Sequence, residues 1–189
     1  MHTPPPDDHF ANPETTGFTF EERTGDPDSF SAGIGRVVLN FSELESQLSA
    51  AIASCLKLDP SVGRIVTSEI SFAVKMHMLS SLTRHLATTR TFNVGRDDPI
   101  DGWAKISAQC FRAEELRNQI MHSQWSGPYL RDMKAVRHKF TAKASRGLAE
   151  HTEIVTSARL LDIADYIGTV AYFVEEFFYD ADEDTEPTI

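Results

Sequence analysis

A chain of 189 residues that is 41% hydrophobic and 24% charged suits one domain, with a core large enough to fold without disulfides or metals to brace it. Its two cysteines, Cys55 and Cys110, lie inside apolar helical patterns and are expected to be buried thiols of a reducing, cytoplasmic compartment, which excludes a disulfide scaffold. The formal charge of -10 is unevenly spread: residues 1–35 hold seven acids and one base, residues 147–189 eleven acids and one base, and residues 36–146 sixteen bases and ten acids.

The N-terminus, M-H-T-P-P-P-D-D-H-F, is acidic and proline-rich, opposite to the charged-then-apolar start of a signal peptide. Residues 1–29 contain five of the nine prolines and few aliphatic side chains, so they are expected to form a flexible arm, followed by a helical domain over 30–180 and an acidic tail over 181–189. From Ser31 to Leu58, Ile34, Val37, Val38, Phe41, Leu44, Leu48, Ile52 and Cys55 recur at three and four, the pattern of one helix face. Asp59-Pro60 ends that helix and starts a second, whose buried face is predicted to run from Val62, Ile65 and Val66 through Phe72 and Met76 to Leu86. Gly95 to Pro99 makes a loop.

A third helix is predicted from about Ile100 to Gln124, with Trp103, Ile106, Cys110, Ala113 and Ile120 inward, ending before Gly127-Pro128. Next, K-A-V-R-H-K-F-T-A-K alternates, with Val136, His138, Phe140 and Ala142 facing one way and Arg137, Lys139, Thr141 and Lys143 the other. With Ser145-Arg146-Gly147 as a turn and H-T-E-I-V returning, this favours a β-hairpin over a competing helix across 129–143. A last helix, capped by Thr156 or Ser157, runs to Tyr179 with Leu160, Ile163, Ile167, Val170, Ala171, Val174, Phe177 and Phe178 inward. Asp162, Asp165, Glu175 and Glu176 interrupt that run too often for a membrane span. The fold class predicted is mainly α, a four-helix bundle with a small β-hairpin between helices three and four.

The chemistry concentrates in E-E-L-R-N-Q-I-M-H-S, Glu114 to Ser123. At about 100° per residue, Ile106, Cys110, Ala113, Ile120 and Met121 fall within roughly 60° of Arg117, which places a guanidinium on the apolar stripe. Such a charge costs several kcal/mol to desolvate unless anions or acceptors surround it. Glu114, three residues earlier, is a candidate partner. His122 falls about 140° away, beside Asn118, Phe111 and Glu115, and Asn118 at i-4 would orient its imidazole. A structural explanation competes: an Arg117–Glu114 pair that locks packing, with His122 capping the helix end. The alternative is an anion site in which a fixed cation and a titratable ring act on a phosphate.

R-N-Q-I-M-H, Arg117 to His122, resembles the R-x4-H motif of the HEPN superfamily in its form with asparagine after the arginine, late in a long helix of a four-helix chain. Arg146 to His151, R-G-L-A-E-H, repeats the spacing without the asparagine and across a glycine turn, so the spacing alone is not specific. The resemblance implies an all-α homodimer through the motif-bearing helix. It also implies a metal-independent ribonuclease of toxin–antitoxin, abortive-infection or CRISPR-associated type, with RNA as substrate and an antitoxin or regulatory protein as partner. His122 would be general acid or base, Arg117 would stabilise the scissile phosphate, Asn118 would orient one of them, and the 2'-hydroxyl would be the nucleophile. Arg131, Lys134, Arg137, Lys139, Lys143 and Arg146 would then form a basic ridge along the RNA. The runner-up is a catalytically silent HEPN-like binding or regulatory module; a structural bundle without a nucleic-acid role is a third reading.

The seven histidines show no H-x3-H, H-E-x-x-H or cysteine-flanked spacing, and no glycine-rich phosphate loop occurs, so neither metal nor cofactor is predicted. His77 and His85 are expected at the surface, and Phe111 and Trp125 in packing or dimer contacts.

Overall fold

The computed structural model describes residues 27–90, 92, 98–130, 134–143 and 147–178, with backbone only at 27, 28, 127–130, 134 and 141–143. Among these are five helices, α1 (Pro27–Cys55), α2 (Pro60–Thr67), α3 (Phe72–Leu86), α4 (Pro99–Met121) and α5 (Ser157–Phe178), and the strands β1 (Gln124–Leu130), β2 (Lys134–Lys143) and β3 (Gly147–Thr156). The protein is mainly helical with one three-stranded antiparallel sheet. α1 begins inside the stretch expected as an arm; the rest of that stretch and the acidic tail lie outside the described residues. No described helix is long and apolar enough to cross a membrane.

The chain falls into two compact units, residues 34–121 with 161–189, and residues 1–33 with 122–160. In the larger, helical unit the apolar stripes predicted for α1 and α5 are buried almost throughout, from Val37, Phe41, Leu44 and Leu48 to Val170, Val174, Phe177 and Phe178. Trp103 of α4 lies 5.7 Å from the Phe177 ring and 5.1 Å from Phe178, and its indole N–H donates to Ser80 Oγ at 2.9 Å. The aromatic cluster thus buries a large apolar area while satisfying its polar atom. Arg90 closes the end of the unit, its Nη2 donating to Ser54 Oγ and to the Phe178 carbonyl, both at 2.9 Å.

The single helix expected from Pro60 to Leu86 is instead two. The start is as predicted: the Asp59 carboxylate accepts from the Ser61 N–H at 2.8 Å, with Pro60 in the first turn, and these Ser61 hydrogen bonds hold its carboxyl below the usual value. The helix stops because hydroxyls turn back on their own turns, Thr67 Oγ1 donating to the Gly63 carbonyl at 2.8 Å and Ser68 Oγ to that of Ile65 at 3.1 Å, after which Ser71 is extended. The expected buried face of α2 is also overturned. Gly63 and Thr67 point inward, whereas Val62, Ile65 and Val66 are exposed, Ile65 by 75%. Backbone proximity decides the orientation: a Cβ on Gly63 would stand 2.5 Å from the Ala53 Cβ, so only glycine lets α2 approach α1 this closely.

In the smaller unit the predicted hairpin is present as β2 and β3, paired in unbroken antiparallel register from Lys134↔Thr156 to Lys143↔Gly147, with Gly147 at φ +70°. The sequence reading missed β1, which pairs with the other side of β2. The alternation expected along β2 is present, and the buried side is the one that carries Arg137, a residue expected on the basic ridge. Ala135, Arg137 and Val155 are buried, and Trp125, opposite Arg137, meets Phe30 edge-on at 5.4 Å, leaving Phe140, Leu148 and Ile154 exposed. The cause is Arg137, whose burial is compensated by Glu153 and Ser123. At the end of β3 the Thr156 hydroxyl accepts from the Arg159 N–H at 3.1 Å and caps α5.

Candidate functional site

The helix that carries the motif starts where Asp98 accepts a hydrogen bond from the Ile100 N–H at 2.8 Å, and its inner face runs through Trp103, Cys110, Ala113, Leu116 and Ile120. Arg117 lies on the flank of that stripe, half-buried. Two contacts fix its plane. Nη1 donates to Asn118 Oδ1 at 2.9 Å, and the guanidinium carbon stands 5.2 Å from the centre of the Phe41 ring. Phe41 is itself stacked on Phe72 at 5.3 Å, and Phe72 meets Phe111 edge-on at 6.2 Å, so the arginine caps a short aromatic column.

Among the described residues no carboxylate closes an ion pair on Arg117. Glu114, the partner expected from spacing, acts on it through the field only. Its carboxyl is pushed up from the usual value, first by burial, then relieved by Arg117 and raised again by Glu45 on α1. A planar cation with most of its donors uncommitted, held against an aromatic face, is suited to meeting an oxyanion.

His122 does not belong to the helix. α4 ends at Met121 rather than near Gln124, because Gln124 and Trp125 are taken into β1 opposite His138 and Arg137. The imidazole therefore stands on an exposed turn, where the helical angle of about 140° no longer applies. The Asn118 carbonyl oxygen serves Arg117.

The six residues of the expected basic ridge have different fates. Arg131 and Arg146 lie outside the described residues, and Lys134 and Lys143 are described by backbone alone, at the two ends of β2. Lys139 is half-exposed. Arg137 is only 5% exposed, with Nη2 2.5 Å and Nε 3.1 Å from Glu153 Oε2 and Nη1 3.3 Å from Ser123 Oγ, so it is bound to protein groups instead of facing solvent.

Sequence reasoning did not anticipate the contacts of three further residues. Phe41 and Glu45, one turn apart on α1, carry the ring under Arg117 and the charge that acts on Glu114, but no pattern along the chain matches helix faces so distant. His138 is held by Ser126 Oγ at 2.8 Å and Glu150 Oε1 at 2.9 Å, contacts that depend on strand register. Elsewhere in the helical unit, a groove of about 1010 Å³ between α1, α2 and the end of α3 is lined by Lys57, Arg64 and Arg90 among others, and none of the motif residues reaches it. No group of three or more metal-ligating side chains occurs among the described residues. The thiols are buried, Cys110 pushed up to about 12 by burial and Cys55 raised by the same cause against the pull of Arg90, which makes both poor nucleophiles at neutral pH. His77 and His85 are exposed.

No protein-family model matches the chain, and neither a curated protein nor a solved structure matches it.

Proposed function

We propose that the chain is a metal-independent endoribonuclease of HEPN type, a toxin or defence effector whose helices form a four-helix bundle and whose dimer is built through α4. The observation that supports this reading is the state of Arg117: a guanidinium fixed by Asn118 and Phe41, with no described carboxylate in an ion pair with it. A cation meant only to lock packing would be paired, since an unpaired one costs folding energy without return. In the proposed reaction the RNA 2'-oxygen attacks the adjacent phosphorus, the bond to the 5'-oxygen breaks, and the products carry a 2',3'-cyclic phosphate and a 5'-hydroxyl. His122 takes the 2'-hydroxyl proton or supplies one to the leaving oxygen, Arg117 offsets the charge growing on the phosphate, and Asn118 holds the guanidinium in plane. DNA, lacking the nucleophile, is inert.

The binding-module reading keeps one observation in its favour: Arg137, central to the supposed RNA ridge, is already engaged by Glu153. Mixed RNA incubated with the chain in EDTA separates the two. The enzyme reading requires cleavage with cyclic-phosphate ends, a loss of about 10²–10⁴ in rate for His122→Ala, and an unchanged melting temperature for that variant. RNA left intact across many substrates would end it.

A further inference from the structure

The two edges of the sheet differ. β1 is interrupted by Gly127-Pro128 and by a register irregularity between Ser126 and Leu130, features that blunt an edge against pairing. β3 has neither. It runs ten residues without proline, in unbroken register with β2, and is the outer strand in the sheet order. Its two acids each contact β2, Glu150 meeting His138 and Glu153 meeting Arg137. It also exposes two large aliphatic side chains on the same sheet face, Leu148 by 72% and Ile154 by 66%. Exposed aliphatics on a long unprotected edge strand mark a site of strand addition.

We infer that β3 is an interface for a second copy of this chain, separate from the α4 contact proposed above, joined edge to edge about a two-fold axis through His151 into a continuous six-stranded sheet. The register follows from symmetry. Leu148 and Ile154 are three residues on either side of His151, so a two-fold there sets each Leu148 against Ile154 of the other copy, twice per dimer. Glu150 then faces Thr152, and Glu153 faces Ala149. Each His151 lies diagonal to Glu153 of the second copy, and the two Glu150 carboxylates, diagonal across the axis, each carry the His138 ring at 2.9 Å.

The alternatives are worse. Because side chains alternate, the register can move only in steps that keep faces matched. Centring the axis on Thr152 sets Ile154 against Glu150 and Leu148 against Thr156. Centring it on Glu150 sets acid against acid. Of these three registers, the His151 axis alone sets Leu148 against Ile154, and no carboxylate directly faces another across it. This inference stands on β3 alone and survives if the ribonuclease reading fails.

The test is sedimentation equilibrium on the full chain, with a charge exchange across the seam. Leu148→Glu alone and Ile154→Lys alone each break two apolar pairs per dimer and are expected to raise the dissociation constant about tenfold or more. The double variant, L148E with I154K, places the new acid opposite the new base twice and is expected to restore association. His151→Cys should cross-link under mild oxidation, against a clean background because Cys55 and Cys110 are buried. A monomeric wild type at millimolar concentration, a double variant no better than the singles, or stronger cross-linking by Thr152→Cys would each overturn the proposal. So would association that is unmoved by all the β3 variants, since the α4 contact alone would then account for it.

Discussion

Arg137 and Glu153 face each other across the β2–β3 ladder, Nη2 2.5 Å from Oε2, with the arginine side chain almost wholly buried and the carboxylate half in water. The asymmetry fixes what mutation should do. Glu153→Ala strands a buried guanidinium and is expected to cost about 3 kcal/mol, whereas Arg137→Met removes the charge, keeps the stem's packing and should cost less than about 1.5 kcal/mol. Urea denaturation of the two variants measures both. Equal losses would mean that the pair is no more than a surface contact.

Gly63 gives a second expectation. An added methyl would stand 2.5 Å from the Ala53 Cβ, and neither carbon can swing away because both are fixed to helix backbones. Gly63→Ala should therefore destabilise the chain by about 1–3 kcal/mol, despite alanine's higher helix propensity. Adding Ala53→Gly should recover part of that loss. Additive losses in the double-mutant cycle would contradict direct contact.

Glu114 predicts a pH dependence. Its folded carboxyl is raised above the ordinary carboxylate value, chiefly by burial, so the folded state favours the protonated form. The sign follows from linkage: this group's contribution to stability is fully present below the unfolded value and is lost as pH rises through the elevated folded one. Glu114→Gln, which resembles the neutral form, should be more stable than wild type at pH 7, with the difference vanishing below about pH 4. Thermal melts of both proteins between pH 3 and 7 test it, and a wild type that is the more stable at pH 7 would refute it.

Much of the helical unit was legible along the chain, and the reason is local periodicity. α5 has no competing pattern, and all eight residues assigned inward, Leu160 to Phe178, are buried. Cys55 and Cys110 were legible for the same reason. α2 shows the limit: Val62, Ile65 and Val66 carry the apolar period, yet the close approach of Gly63 to Ala53 turns them outward. Which sheet face is buried was not legible, because Arg137 looks like a surface residue until Glu153 is brought opposite by strand register. At the motif, residue type and spacing drew attention to Arg117 and Asn118 but set the amide beside His122, whereas it accepts from Arg117. The Phe41 ring beneath the guanidinium and the end of α4 before His122 both depend on segments distant in sequence.

The chain has two tryptophans, and each unit holds one: Trp103 among Phe177 and Phe178 in the helical unit, Trp125 against Phe30 in the sheet unit. Tryptophan fluorescence is thereby shared between the two units, one indole to each. Replacing either indole with phenylalanine leaves an emitter that follows the loosening of one unit alone, without any dye or label.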